Sequence, residues 1–296
     1  MATFTGMHGR CATPILTDCQ HEHGEFCRSA SLKALLISLQ AAAERRAFQA
    51  AQARELGMNL EIVTAVCPAD LSDGHDLDWA RWHRPLMPTE KACFLSHRAA
   101  WRRVVAADEP CLILEDDALL SRHLPEFLEA LSSLRGVDHL TLEVRLRKKL
   151  IGPQRTLEGS CGWAPLYQDR TGAAAYVLWP RGAQTLLDQA LRRGPALADA
   201  FINDSRALVS VQAVPALAIQ ADVALAYGVA SPLMTTSYIQ AQGGKKAHAA
   251  TGWAAWRYKG RRLSGQLALA ARFLAHLHHA RRQVVPLDLG GFDSAG

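Results

Sequence analysis

The chain has 296 residues, of which 49% are hydrophobic and 21% are charged, as is typical of a globular protein. No apolar run reaches the roughly 20 residues that a membrane-spanning helix requires, and the first residues lack the apolar core of a signal peptide. The seven cysteines are an odd number and lie mostly in apolar segments, which favours reduced thiols. With Met1 as the true start, these features predict a cytoplasmic protein.

The charge is distributed unevenly along the chain. Residues 245–282 contain nine Lys and Arg residues and no Asp or Glu. Because the whole chain carries +5, the remainder has a net charge of −4. This asymmetry argues against a nucleic-acid-binding body and for an anionic partner near the C-terminus.

Three segments differ in composition. Residues 1–31 have no clear period, and we predict a poorly ordered N-terminal extension there. Residues 32–220 alternate apolar strands with helical segments, and residues 221–296 are predicted to be a basic, helical C-terminal region. Histidines and cysteines in the extension leave a zinc site as an alternative, although no C-x2-C or H-x3-H spacing occurs. They are His8, Cys11, Cys19, His21, His23 and Cys27.

Strands and helices alternate between residues 33 and 214. The opening strand, helix and strand form a β-α-β unit, which predicts a parallel sheet and an α/β fold. A basic loop containing Gly and Pro is predicted over residues 145–167, and a loop of this length is usually functional or mobile. The predicted strands are 33–39, 60–66, 111–114, 137–144, 172–179 and 209–214, and the predicted helices are 41–56, 90–107, 126–134, 180–191 and 199–208.

Three consecutive acids follow a short apolar run. Residues 111–114 are predicted to form a buried strand, so Glu115, Asp116 and Asp117 stand at its carboxyl end, where open α/β sheets bind ligands. Adjacent carboxylates repel one another unless a cation binds them. Mg²⁺ and Mn²⁺ prefer such oxygens and often share a site with a substrate diphosphate. The alternative is a solvated acidic turn after the strand.

Two predicted helices carry polar side chains that have two interpretations. On helix 90–107, Glu90 and His97 share one face but lie roughly 10.5 Å apart along the axis, too far to bind one metal. Each can contact a different part of a ligand, whereas a lone His97 is as readily a satisfied, semi-buried histidine. Arg45 and Arg46, in the first turns of helix 41–56, form a solvated helical face on spacing alone.

The tail 245–282 combines its basic residues with tryptophans and leucines. Such a composition is typical of a helix that lies on an anionic membrane surface. The alternative is a C-terminal helix that packs on the body of the protein and exposes a solvated basic face. The all-basic charge favours the membrane, and the scattered alanines weaken the amphipathic pattern.

Three sequence blocks occur in order at compatible spacing. They are Leu36-Ile37-Ser38-Leu39 with Glu44-Arg45-Arg46, then Glu90-x-x-Cys93-x-Leu95-Ser96-His97-x-x-x-Trp101, then Leu112-Ile113-Leu114-Glu115-Asp116-Asp117. Weaker matches follow at Leu142-Glu143, Gly172-x-x-x-Tyr176 and Asp199. The arrangement resembles glycosyltransferase family 25, the lipopolysaccharide or lipooligosaccharide β-galactosyltransferase-like proteins, over about residues 32–220. The extension before Ser31 and the basic tail lie outside the resemblance.

The resemblance implies a GT-A-type, Rossmann-like glycosyltransferase domain over residues 32–220, with a mostly parallel sheet flanked by helices. It implies a nucleotide-sugar donor, commonly UDP-galactose, and Mn²⁺ or Mg²⁺ as the cofactor. Asp117 would hold the cation, assisted by Asp116 or Glu115, and the cation would neutralise the charge that develops on the leaving diphosphate. In such folds one acid of the triplet can also bind the ribose.

Other residues of the three blocks are then predicted to contact the nucleotide sugar. Ser38, Arg45 and Arg46 lie at the first strand–helix junction, where strand ends and helix N-termini collect anions. The second block supplies residues for donor or acceptor binding. The predicted nucleotide-sugar-binding set is Ser38, Arg45, Arg46, Glu90, Ser96, His97, Glu115 and Asp116.

An inverting transfer, the usual outcome in this family, requires a carboxylate base near the acceptor hydroxyl. The candidates are Glu143, near a strand end, and Asp199, and we favour Glu143 slightly. As a plain helix N-cap, Asp199 would have a lowered pKa and would be a weaker base, whereas Glu143 would otherwise be a surface acid. Trp179-Pro180 stands where the family often has a small polar residue, so the acceptor pocket can differ.

Together these features predict a metal-dependent glycosyltransferase that extends a bacterial surface glycan at the inner face of the cytoplasmic membrane. Its partners would be a UDP-sugar donor, a lipid-linked or oligosaccharide acceptor, and an anionic membrane surface contacted through residues 245–282. Two other functions stay open. One is a metal-dependent phosphohydrolase built on the same acidic strand end, and the other is a non-catalytic scaffold that binds sugar nucleotides or glycans.

Overall fold

The computed structural model describes residues 32–71, 76–131, 134–157, 161–169, 172–233 and 252–295. The predicted N-terminal extension and its zinc candidates lie outside these residues, as does segment 234–251 with the first basic residues of the tail. Within the described residues, no helix combines the length and apolar composition needed to cross a bilayer.

Strands and helices alternate through most of the described chain. The helices are α1 (Ala43–Glu55), α2 (Pro88–Ala107), α3 (Leu124–Ala130), α4 (Pro180–Arg193), α5 (Ala198–Asp204), α6 (Ala221–Ala224) and α7 (Gly252–His276). The strands are β1 (Lys33–Ser38), β2 (Leu60–Thr64), β3 (Cys111–Glu115), β4 (Ala118–Leu120), β5 (His139–Thr141), β6 (Lys149–Ile151), β7 (Arg155–Thr156), β8 (Gly162–Gln168), β9 (Ala175–Leu178), β10 (Ser210–Val214), β11 (Ala218–Gln220) and β12 (Arg281–Gln283).

Ten of the described strands form one large sheet, which confirms the predicted α/β fold. Its order is β12-β6-β8-β10-β5-β9-β3-β1-β2, and β7 pairs with β8 beside this path. β1 is parallel to β2 and β3, and β10 is parallel to β5. Because β9 runs antiparallel to both β3 and β5, the strands β1, β3, β5 and β10 point the same way. Their carboxyl ends therefore meet at one edge of the sheet.

Helix ends follow local backbone chemistry. α2 begins with Pro88, whose fixed φ suits the first turn, and the Glu90 carboxylate accepts the backbone N–H of Met87 at 2.8 Å. α4 likewise begins with a proline, and it is followed by Gly194 at a φ of +74°. A residue without a side chain suits this left-handed backbone, so the helix ends there.

Two predicted segments differ from the structure. Residues 145–167 are not one long loop, because β6, β7 and most of β8 lie there and extend the sheet away from β2. Gly152, Pro153 and several basic residues interrupt the apolar pattern and hid these strands. The predicted strand 137–144 is shortened to β5, followed by an isolated bridge between Glu143 and Ala218.

Helices cover both faces of the sheet, and the side chains of β3 alternate between them. Leu112 points to the face covered by α3 and packs in the same cluster as Phe127. Ile113 points to the opposite face, which is covered by α2, α4 and α5, and packs with Trp101 and Phe201. The rings of Trp101 and Phe201 stack with centroids 5.9 Å apart. Burial on both faces explains why β3 is apolar at every position before Glu115.

The C-terminal region is not purely helical, as had been predicted for residues 221–296. After α7 the chain forms β12, which pairs antiparallel with β6. Val285, Leu287 and Phe292 then pack into a third apolar cluster with Val144 and Ile151. The end of the chain is therefore part of the body, while the domain division at residue 220 stays a prediction.

Gly182 tests how closely α4 approaches the sheet. A Cβ at this position would lie 2.4 Å from the backbone oxygen of Asp138, which cannot retreat without moving the start of β5. We expect Gly182→Ala to lower the free energy of unfolding by about 1–3 kcal/mol, as overpacking does. Gly260→Ala in α7 is the matched control, because a Cβ there meets nothing within 4 Å, and it should be neutral or stabilising. Urea unfolding measures both, and equal stabilities would contradict the close approach.

Candidate active site

Asp116 joins the end of β3 to the junction between β1 and α1. Ser38 Oγ donates to one carboxylate oxygen at 2.8 Å, and Arg45 Nη1 donates to the other at 2.9 Å. This ion pair is largely buried, with 14% of the Asp116 side chain exposed. Since both oxygens are already bonded, we assign Asp116 to the positioning of Arg45 rather than to the predicted metal set. The structure thus brings three predicted residues together.

The other arginine of the pair has a different role. Arg46 Nη1 donates to the backbone oxygen of Leu39, so it closes the turn after β1. Arg45 alone extends toward the acidic triplet. The interpretation of both arginines as a solvated helical face is therefore wrong for Arg45, whose side chain is only 16% exposed.

Asp117 carries a buried oxygen atom that is unpartnered. Among the described residues, its Oδ1 has no hydrogen-bond donor within reach. Burial, and then the charges of Glu115 and Asp116, raise the pKa of Asp117 to about 7. The positive charge of Arg45 opposes this shift only partly. An oxygen that is buried, negatively charged and unpartnered fits a hard divalent cation, so the residues present suit the predicted Mn²⁺ or Mg²⁺.

Glu115 is held from two sides. His97 Nε2 lies 3.0 Å from one carboxylate oxygen, and Gln220 Nε2 donates to the other at 3.2 Å. A carboxylate only accepts hydrogen bonds, so the neutral imidazole donates from Nε2 and accepts at Nδ1. Nδ1 lies 2.9 Å from the Tyr176 hydroxyl, which in turn accepts the indole N–H of Trp101 at 2.9 Å. A chain of hydrogen bonds therefore runs from the core to Glu115.

Cys93 completes a small cluster of groups that can bind a metal. Its sulfur, a nitrogen of His97 and an oxygen of Glu115 all lie within 4.8 Å of one another. Burial, reinforced by the charges of Glu115 and Asp199, raises the pKa of Cys93 well above its usual value. The sulfur is therefore a neutral thiol at physiological pH, and the thiolate is the form that binds metals. The carboxylates are the better ligands here.

The two base candidates differ in environment. Glu143 is 1% exposed, and within the described chain neither carboxylate oxygen has a hydrogen-bond partner. Burial raises the pKa of Glu143 to about 8, so the group is mostly protonated at pH 7. Its carboxyl group sits against Gly172, where a Cβ would lie 1.9 Å from Glu143 Oε1. The prediction of a surface acid as the alternative role is wrong.

Asp199 lies in the first turn of α5 and is only partly buried. One of its oxygens accepts the backbone N–H of Ala200 at 2.7 Å. Burial raises the pKa of Asp199, and the charge of Glu115 adds to this shift. The lowered pKa expected of a plain helix N-cap is therefore not observed, and Asp199 is electrostatically connected to the acidic triplet.

Two predicted binding residues are occupied by structural contacts. Glu90 forms hydrogen bonds with the Arg84 guanidinium at 2.8 and 2.6 Å, in addition to its bond with Met87. The Ser96 hydroxyl donates to the oxygen of Ala92 at 2.7 Å and accepts the N–H of Val66 at 2.9 Å. We therefore assign them to fixing α2 and the loop after β2, whereas ligand contact stays an untested prediction for both.

The sequence reasoning missed several residues that shape the site. Tyr176 was noted only as part of a weak match, yet it links His97 to the core. Gln49 and Gln52 of α1 donate to the oxygen of Ala118 at 2.7 and 3.1 Å and so fix the strand after the triplet. Gln220, at the end of β11, had no local signal, because only the pairing of β11 with β4 brings it beside Glu115.

Comparisons with known proteins agree with this geometry. The chain is 30% identical over 159 residues to the lacto-N-neotetraose biosynthesis glycosyltransferase LgtE of Neisseria meningitidis serogroup B, an alignment that covers 48% of this chain and 55% of that protein. It is 27% identical over 165 residues to LgtB of Neisseria gonorrhoeae, which covers 52% and 59% respectively. The chain thus matches less than two thirds of the length of these relatives.

A solved mannose-1-phosphate geranyltransferase from Thermus thermophilus aligns with 12% identity and a TM-score of 0.29, over 62% of this chain and 73% of that one, which is too weak to bear on the fold. The model of the family described as glycosyltransferase family 25 (LPS biosynthesis protein) matches residues 31–202. This match is more than half of the chain and includes all three sequence blocks. The chain therefore belongs to glycosyltransferase family 25, as its sequence predicted.

Proposed function

We propose that this protein transfers a sugar, with galactose as the first candidate, from a UDP-sugar donor to a growing lipopolysaccharide or other surface glycan. The observation that carries the proposal is the buried, unpartnered oxygen of Asp117, which lies beside Glu115 at the edge where parallel strands end. Family membership and the names of the two Neisseria relatives support the reaction class. A divalent cation held by Asp117 and Glu115 would stabilise the negative charge of the departing diphosphate.

The residues around Asp116 suit the nucleotide part of the donor. Ser38 and Arg45 are fixed by their bonds to Asp116 at the start of α1, so the guanidinium stays in place when no ligand is bound. A preorganised cation near the N-terminus of a helix favours phosphate oxygens and costs little to reorganise on binding. Arg45 therefore assists diphosphate binding in this proposal.

Asp199 is the better base for an inverting transfer. The acceptor hydroxyl attacks the anomeric carbon, its proton passes to a carboxylate, and the sugar–phosphate bond breaks to release the nucleoside diphosphate. Glu143 is enclosed and mostly protonated at neutral pH, so it cannot readily take that proton. Asp199 is partly accessible, and its raised pKa makes it a stronger base than an ordinary aspartate.

The membrane is the proposed place of action. Five large apolar side chains on α7 are exposed and recur at helical spacing on one stripe, and they belong to Trp256, Leu263, Leu267, Leu274 and Leu277. Residues 245–282 contain no acidic residue, so this region attracts anionic lipid as well as apolar surface. We therefore propose peripheral binding of α7 to the inner face of an anionic membrane.

Substitution of Asp117 tests the cation site. We expect Asp117→Asn to reduce sugar transfer at least about 100-fold and to abolish thermal stabilisation by Mn²⁺. Because protons compete with the cation for a carboxylate of pKa about 7, Mn²⁺ should stabilise the wild type more at pH 8 than at pH 6. Glu126→Gln, an exposed acid of α3, is the control. Full turnover in Asp117→Asn would contradict the proposal, and release of phosphate without transfer would favour the phosphohydrolase.

Paired substitutions separate the two base candidates. Asp199→Asn should lower kcat at least about 100-fold with little change in donor KM, whereas Glu143→Gln should keep most of its activity. Loss of activity in Glu143→Gln alone would reverse this assignment.

Glu143 also predicts a pH dependence of stability. Its folded pKa is raised, so its stabilising contribution is complete below about pH 4.5 and is lost as the pH rises through about 8. Glu143→Gln cannot ionise, and it should match the wild type at pH 5 but be more stable at pH 8.5 by a few kcal/mol, since one pKa unit is worth about 1.4 kcal/mol. Urea unfolding at both pH values measures the difference, and parallel pH profiles would contradict the burial of this acid.

The exposed stripe of α7 gives the test of membrane binding. Leu267→Glu combined with Leu274→Glu should weaken binding to vesicles that contain phosphatidylglycerol by at least about tenfold, because two apolar contacts are lost and two negative charges are added. Vesicle co-sedimentation measures this. The control is Leu191→Glu, an exposed leucine of α4. Unchanged sedimentation of the double variant would exclude the stripe as the membrane contact.

A further inference from the structure

A large basic groove separates α7 from the body of the protein. It has a volume of about 910 Å³ and is lined on the α7 side by Arg261, Arg262 and Arg272. The opposite wall carries five more arginines, from the segment before α2, from the loop after β5, and from α4 and α5 with the turn that follows. Two aspartates, Asp169 and Asp204, are the acids of the lining. The groove is therefore strongly positive, and its size suits a small oligosaccharide.

The arginines of the groove fall into two groups. Arg261 and Arg272 hold α7 in place, because Arg261 donates to the oxygens of Ala80 and Trp82, and Arg272 donates to those of Tyr167 and Asn203. Their contacts account for the position of the helix. They leave the walls of the groove to be neutralised by other groups.

A second group has no such partners. In the part of the chain that the structure describes, Arg147, Arg193, Arg206 and Arg262 have no carboxylate at ion-pair distance and no side-chain hydrogen bond. All four are exposed, and they converge on one cavity from three different parts of the chain. Guanidinium groups bind phosphate oxygens through paired, charge-assisted hydrogen bonds. Four of them around one groove fit a ligand that carries more than one phosphate.

The groove adjoins the proposed base. Leu197 and Ala200 line it, and Asp199 lies between them on the first turn of α5. The charge of Asp169, another lining residue, contributes to the raised pKa of Asp199. A molecule in the groove thus lies close to the carboxylate that would receive the acceptor proton. Arg45 and Asp117, the proposed donor residues, do not line the groove.

We propose that this groove binds the acceptor through its phosphate groups, so that the acceptor is a phosphorylated glycan. The inference rests on the proposed function and adds to it a substrate class and a site. α7 lies outside the part of the chain that the family model matches, so this recognition is a property of the C-terminal region. The arginines position the acceptor while Asp199 takes the proton from its hydroxyl.

The test compares two probes on the full-length protein. One is the core oligosaccharide released from lipopolysaccharide by deacylation, with its phosphates intact, and the other is the same oligosaccharide after enzymatic removal of the phosphates. The variant combines Arg193→Gln, Arg206→Gln and Arg262→Gln. The control combines Arg54→Gln, Arg102→Gln and Arg281→Gln, three exposed arginines outside the groove. Calorimetry measures binding, and steady-state transfer assays measure acceptor and donor KM.

We expect the groove variant to bind the phosphorylated oligosaccharide at least about tenfold more weakly, while the control changes less than about twofold. Removal of the phosphates should weaken binding to the wild type by a similar factor and leave nothing further for the groove variant to lose. In transfer assays, the acceptor KM should rise and the donor KM should not. Equal affinity for the two oligosaccharides, or equal weakening in the control, would overturn the inference.

Two further measurements keep the alternatives apart. If the groove variant loses binding to phosphatidylglycerol vesicles but keeps oligosaccharide affinity, the arginines serve the lipid surface and the inference is wrong. The Asp117→Asn protein should bind the phosphorylated oligosaccharide as tightly as the wild type. If binding persists there but no UDP-sugar is transferred even by the wild type, the proposed function fails while the groove assignment stands.

Discussion

Uncompensated negative charge at one edge of the sheet is the constraint on which the site depends. Glu115, Asp116 and Asp117 follow one another at the end of β3, and each raises the cost of ionising the others. Arg45 offsets the charge of Asp116 through a direct ion pair, but no comparable cation reaches Asp117 in the described chain. A bound divalent ion would supply the missing charge, so the fold holds its acids in the arrangement that such an ion requires.

The rigid core supports this arrangement. Trp101 and Tyr176 are fully buried between the sheet and its helices, and their polar atoms pass a hydrogen bond to His97 and then to Glu115. The position of Glu115 is thus determined by packing as well as by local backbone geometry. Groups placed in this way do not need to reorganise when charge develops on a ligand, which is how enzymes stabilise such charge efficiently.

The sequence predicted those features that have a local signal. The apolar run before Glu115, the β-α-β opening and the three blocks were sufficient for the α/β fold and for the family. The bonds that assign roles connect distant residues: Asp116 meets Ser38 across 78 positions, and Gln220 meets Glu115 across 105. Burial of Glu143 also depends on a remote residue, Gly172. Such contacts have no periodicity in the sequence, so they appear only when the chain is folded.

The pairing of β12 with β6 has a consequence for how the tail can be studied. β6 would be the outer strand of the sheet without β12, and its backbone N–H and C=O groups would then be open to another chain. Truncation before α7 would also strip Val285, Leu287 and Phe292 from their cluster and leave its apolar partners wet. A shortened protein would therefore tend to self-associate, and any activity it lost would say little about α7 itself.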